Sequence, residues 1–298
     1  MKDSEKYKGE YIKVTLNSPI NLFQLNYKFL DQFVFRGHAD SDWELKTPLY
    51  RCVEKYHDPK SSDLLYTHLY EQEMIKEFKQ KYNLYEKTNI PSDLDVIAWL
   101  SIMQHYGVPT RMIDFSHSLF VALYFAIYES FSKESTIWCL NRISSRFQHN
   151  FFTKEDGIDT DSIIYNHANK VMIDNSRKPE KHLYLVEPPI TNNRISFQQG
   201  LFAILEIEYL SLIDNLSSLL LSTTPREVDI EELVRVSKED EGFNGDKYLL
   251  IEIRIPSKFR FEFIHLLRQM NITTELIYPG LEGFAKSLKY PHHENYLI

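Results

Sequence analysis

Glycine and cysteine are both scarce in this chain, with nine and two copies in 298 residues. Cys52 and Cys139 stand far apart and fit no metal-ligand spacing, so buried free thiols are the simpler reading. Positive charge is also short. A net charge of −8 argues against a general nucleic-acid-binding surface, although it leaves open one local basic pocket. Long apolar runs are missing too: "LFVALYFAIY", residues 119–128, is too short to span a bilayer. The N-terminal stretch "MKDSEKYKGEYIKVTL" is charged and has no apolar core. No signal peptide is expected, no membrane association, and a reducing cytoplasm is the expected compartment. The chain has no GxGxxG, no P-loop, no GxSxG and no HExxH. No metal site is expected, and the tail pair His292-His293 reads as solvated.

What is present describes a globular chain that can bury a substantial core. Its hydrophobic content is 43% against 26% charged residues, and 19 Tyr with 19 Phe promise a core built largely from rings. Alternation predicts strands at 11–16, 33–37, 135–142, 182–189, 194–207 and 247–256. Helical spacing predicts helices at 22–32, 62–82, from Pro91-Ser92-Asp93 to Gly107, at 116–131, near 160–175 and at 257–271. Residues 42–51 read as a turn and an extended piece broken by Pro48, and 225–246 as a loop. The end, 273–289, reads as strand, Pro-Gly turn and helix. One α+β domain over residues 1–298 is expected, with helices gathered in the first half and strands in the second.

Four polar stretches interrupt this pattern. In "FVFRGHADSDW" an apolar strand ends in Arg36, Gly37 and His38. Arginine offers a planar, always charged fork that suits a phosphate, and glycine beside it lets a ligand approach the backbone. The competing reading pairs Arg36 with Asp40 or Asp42. In "QHYGVPTRMIDFSHS" the polar residues join two apolar helices, so Gln104, His105, Thr110, Arg111 and Asp114 could share one hydrogen-bonded network. His105 and Arg111 are read as pocket residues, Asp114 and His117 as structural. In "NRISFQQGLF" strand alternation puts Arg194, Ser196 and Gln198 on one face. In "TTELIYPGLEGFAKSL" Glu275 opens the last strand, where a carboxylate could act as a base or hold a ribose hydroxyl; an exposed strand-end glutamate is the plainer alternative.

At these residues the sequence resembles the FRG domain family, whose Phe-Arg-Gly signature corresponds to Phe35-Arg36-Gly37. The resemblance extends through "QHYGVPTRMIDFSHSLFVALYFA", "RISFQQGLF" and "YPGLEGFAKSL", about residues 33–289. A second likeness, to ADP-ribosyltransferases, rests on the aromatic-Arg-Gly that ends an early strand. It implies a mixed or antiparallel sheet core with a helical segment inserted after the first strands. It also implies an arginine on NAD phosphate, a serine supporting the nicotinamide ribose and a late glutamate. Residue by residue these are Arg36, Ser196 and Glu275. Ile195-Ser196-Phe197 departs from the Ser-Thr-Ser of that group, and Thr273 stands where Gln or Glu is frequent.

The resulting expectation is an NAD-binding enzyme that transfers ADP-ribose or cleaves NAD. Arg36, Gly37, His38, Arg111, Arg194 and Gln198 would bind the nucleotide; Glu275, His105 and Ser196 would be catalytic. The alternative is a non-catalytic module that senses a nucleotide or a phosphorylated partner. A nuclease or phosphoesterase is disfavoured for want of clustered acidic metal ligands.

Overall fold

In a computed structural model the described residues build one eight-stranded mixed sheet with thirteen α-helices around it. The structure describes residues 8–56, 66–86, 90–128, 132–142, 160–174, 178–188, 193–239 and 247–288. The strands are β1 (Glu10–Thr15), β2 (Phe33–His38), β3 (Met112–Ser116), β4 (Ser135–Asn141), β5 (Leu183–Val186), β6 (Gly200–Leu205), β7 (Arg226–Glu227) and β8 (Tyr248–Ile255). Their order across the sheet is β5-β6-β3-β2-β4-β8-β1-β7. β1 runs parallel to β8 and β7, and every other neighbouring pair is antiparallel.

The longer helices are α3 (Pro48–Glu54), α4 (Thr67–Tyr82), α5 (Val96–His105), α6 (Leu119–Tyr128), α7 (Thr160–Ile173), α10 (Ile230–Glu239) and α11 (Arg260–Gln269). Shorter ones are α1 (Ile20–Gln24), α2 (Tyr27–Leu30), α8 (Asn193–Gln198), α9 (Leu212–Asn215), α12 (Thr274–Ile277) and α13 (Leu281–Ser287). Helices α3, α4 and α5 all fall between β2 and β3, which is the inserted helical segment. The expected split into helical and strand halves is corrected: β1 to β4 precede residue 142 and β5 to β8 follow it.

Alternation along the strands divides the core between the two sheet faces. Phe33, Phe35, Ile137, Cys139, Ile251 and Ile253 pack beneath α6 and α11. Val34, Ile113, Phe115, Leu140, Leu201 and Leu250 point the other way, onto Leu212 and Leu216. Further along, α5 and α7 cover Met112, Tyr184, Phe202 and Ile204. Helix α6 is apolar nearly all round and is buried along most of its length, as its composition requires. Gly107, at φ 84°, ends α5 in the left-handed conformation that a side chain disfavours.

Four segments differ from the sequence pattern, two of them because a threonine cap starts a helix. Thr47 caps α3, accepting from the Tyr50 N–H at 2.9 Å, and Pro48 is its first residue. This Thr-Pro pair starts a helix where the sequence suggested an extended piece. Residues 193–198 form α8 rather than a strand; Gln199, at φ 46°, then turns the chain into β6. Thr273 caps α12 through the Leu276 N–H, so Glu275 sits in the first turn of a helix and not on a strand. The expected loop at 225–246 contains β7 and the amphipathic helix α10, while residues 240–246 lie outside the described residues.

Candidate functional site

The sheet is not equally closed along its width. β2 meets β4 at six consecutive pairs but meets β3 at a single one, Phe35 opposite Ser116. Beyond that pair the two strands part. A cleft of about 300 Å³ opens in the seam, lined by residues 35–39 from one side and 114–116 from the other. Helix α5 supplies Ser101, Gln104 and His105, α3 supplies Arg51, and α8 supplies Arg194, Ile195 and Gln198. Trp43 and Phe125 add aromatic surface.

Arg36 spans the seam. Its Nη1 donates to the Asp114 carbonyl at 2.7 Å, in place of a ladder bond that the parted strands do not make. Its Nε donates to His38 Nε2 at 3.0 Å. Arginine can only donate, so toward Arg36 His38 Nε2 is the acceptor. Its Nδ1 lies 3.2 Å from both the Trp138 indole N–H and the Trp43 carbonyl. Burial, helped by the Arg36 charge, pushes the His38 pKa down to about 3, so the ring is neutral at ordinary pH. Asp40, one of the two acids read as possible partners of Arg36, pairs with Lys133.

Gly37 is needed for a different approach from the one the sequence suggested. A Cβ there would stand 2.0 Å from the Ala122 carbonyl oxygen and 2.5 Å from the Ala126 nitrogen. The backbone of α6 fills the space that was read as room for a ligand.

Asp114 is held from below. Its Oδ1 accepts from Gln104 Nε2 at 2.6 Å, and Gln104 Oε1 in turn accepts from the Thr110 hydroxyl. Its Oδ2 lies 4.0 Å from Arg36 Nη1. Part of the expected network is therefore real, but Arg111 is not in it. Arg111 is buried in a separate cavity of about 500 Å³, where Glu71 takes both its N–H and its Nε, and Glu208 Oε2 lies 3.7 Å from its Nη1. That pairing sets Arg111 apart from the cleft, with its charge compensated by buried internal acids.

Arg51 escaped the sequence reading and stands out in the structure. It is half-buried on the cleft wall, and among the described residues its guanidinium makes no hydrogen bond or ion pair. Burial lowers its pKa, and the Asp114 charge works in the opposite direction. The Thr47-Pro48 cap was the signal that could have found it, because α3 is what carries Arg51 to the cleft. Arg194 stacks on the Tyr278 ring at 5.0 Å, and its guanidinium likewise makes no hydrogen bond or ion pair among the described residues. His105 is held below its ordinary pKa by burial and by Arg194.

A family model described as the FRG domain matches residues 31–135. The chain carries an FRG domain. The FRG match takes in Arg36, Arg51, Gln104, His105 and Asp114, while Arg194 and Gln198 come to the cleft from beyond it. No curated protein and no solved structure matches the chain.

The remaining candidates divide cleanly. On a helix, positions 194, 195 and 198 share a face and 196 does not. Ser196 is accordingly exposed and off the cleft wall, which corrects the strand alternation. Gln198 lines the cleft, but its Nε2 donates to the Ile277 carbonyl at 3.1 Å and so ties α8 to α12. Glu275 is exposed, accepts from the Ser287 hydroxyl at 3.0 Å and does not line the cleft. Among the described residues no cluster of His, Cys, Asp and Glu could hold a metal ion, and no helix is long and apolar enough to cross a membrane.

Proposed function

We propose that the cleft binds a diphosphate-bearing nucleotide of the NAD class, with Arg36, Arg51 and Arg194 receiving the diphosphate. One observation carries the reading: Arg51 and Arg194 line the cleft with no internal acid hydrogen-bonded to either guanidinium among the described residues. A half-buried guanidinium without a bonded anion favours one from outside, and a diphosphate offers charge to more than one fork. A volume of about 300 Å³ is at the lower end for small-molecule sites. It suits the diphosphate and one nucleoside, with the rest of a dinucleotide toward solvent.

Were NAD cleaved here, the bond between nicotinamide nitrogen and ribose would break, nicotinamide would leave with the electron pair, and the sugar would become oxocarbenium-like. A carboxylate stabilises such a cation. Asp114 is the one carboxylate on the cleft wall among the described residues, and His105 could take the proton of an incoming hydroxyl. A second reading, recognition without turnover, is favoured by Glu275 and Ser196 both standing off the cleft wall.

Calorimetry with inorganic pyrophosphate tests the binding. Arg51→Met should lower its affinity about tenfold or more, since a hydrogen bond to a charged group is worth about 1.5–3 kcal/mol. Lys46→Met should leave it unchanged, because Lys46 is held by Glu44 at 2.6 Å and Glu54 at 2.9 Å. Equal effects from the two substitutions would refute the phosphate role. Incubation with NAD, followed by an assay for free nicotinamide, separates the enzyme from the recognition module.

A further inference from the structure

A carboxylate is out of place on the wall of an anion-binding cleft. Asp114 would repel a phosphate next to it, yet its position is built with care. Gln104 grips one oxygen at 2.6 Å and is itself backed by Thr110. The Asp114 side chain is 61% exposed, and its second oxygen stands 4.0 Å from the nearest Arg36 nitrogen, beyond hydrogen-bonding distance. That oxygen therefore retains acceptor capacity toward the cleft. A fixed acceptor beside cationic forks calls for a ligand with hydroxyl donors next to its phosphate.

Resting on the nucleotide reading above, we propose that Asp114 is a specificity-determining residue that accepts a hydrogen bond from the ribose diol of a ribonucleotide. Arg36 and Arg51 anchor the phosphate, and the Gln104–Asp114 pair reads the sugar. The arrangement discriminates in two directions. A ribonucleotide gains a charge-assisted hydrogen bond, whereas a ligand lacking the hydroxyls brings its phosphate to Asp114 and receives only repulsion.

The test uses the full chain and three probes in calorimetry at fixed salt: inorganic pyrophosphate, ADP and 2′,3′-dideoxy-ADP. ADP should bind about tenfold or more tightly than the dideoxy compound, the amount expected of one hydrogen bond to a charged group. Asp114→Asn should erase that ratio and at the same time strengthen pyrophosphate binding, a pair of opposite changes that general damage to the fold does not produce. The wild-type comparison of ADP with its dideoxy analogue decides the matter even where the variant folds poorly. If pyrophosphate and both nucleotides bind and the two nucleotides bind equally, the ribose assignment is overturned and the phosphate cleft stands. If none of the three binds, the nucleotide reading itself is overturned, and this inference with it.

Discussion

Adding one methyl group at Gly37 should unsettle the fold rather than trim a binding site. The Cβ of Gly37→Ala would meet the Ala122 carbonyl oxygen at 2.0 Å and the Ala126 nitrogen at 2.5 Å. Both are backbone atoms of α6, so no side chain can swing aside to make room. Relief to an ordinary carbon–oxygen contact near 3.2–3.5 Å requires α6 to retreat by more than about 1 Å. That helix buries Leu119, Val121, Ala122, Leu123, Tyr124, Ala126, Ile127 and Tyr128, so its displacement disturbs one whole side of the core. Overpacking of this kind costs about 1–3 kcal/mol where neighbours can adjust; with helix backbone as the obstacle the upper end is expected, about 3 kcal/mol. At about 2–4 °C per kcal/mol for a chain of this size, the melting temperature should fall by roughly 6–12 °C. Differential scanning calorimetry of the two proteins measures it. A shift under about 2 °C would show that α6 slides freely over β2, and the close approach argued from Gly37 would be wrong.

Three further outcomes are expected. Arg111→Met leaves Glu71 and Glu208 buried without their cation, so stability in urea should drop by about 3–5 kcal/mol while pyrophosphate affinity of the folded protein stays unchanged; a matched loss of affinity would return Arg111 to the site. His38, neutral when folded with a pKa near 3, is free to protonate near 6.5 once unfolded. Its contribution is complete above about pH 6.5 and declines as pH falls toward 3, amounting to about 2 kcal/mol lost at pH 5, and His38→Gln should flatten that part of the stability profile. Thr47→Ala removes the cap of α3 and should cost about 1 kcal/mol in stability while loosening the position of Arg51, so urea titration and pyrophosphate calorimetry should both register it.

The long periodic elements were legible because burial alone dictates them: α6, α5 with its Gly107 stop, and the strands β1, β2, β4 and β8 all follow from apolar spacing. What escaped was decided by single side chains. Thr47 and Thr273 each begin a helix with one hydroxyl, against a background of residues that alternate like a strand. Those two caps account for the unrecognised Arg51 and for the misplaced Glu275. Ser196 was lost for another reason: a six-residue helix is too short for its period to show against a strand of similar polarity. Arg36, Arg194, Gln198 and His105 line the cleft, but the partners of Arg111, forty and nearly a hundred residues away, carry no local sign. Which guanidinium is neutralised inside a protein depends on distant acids that no spacing rule reaches.

The single rung between β2 and β3 has a mechanical meaning. It is the least zippered line in an otherwise continuous sheet, so breathing should concentrate there, and amides flanking Phe35 and Ser116 should exchange with deuterium sooner than those shared by β2 and β4. A molecule lodged in that gap would act as a rivet between the two parts of the sheet, slowing the same exchange and letting occupancy be followed without any knowledge of the chemistry it undergoes.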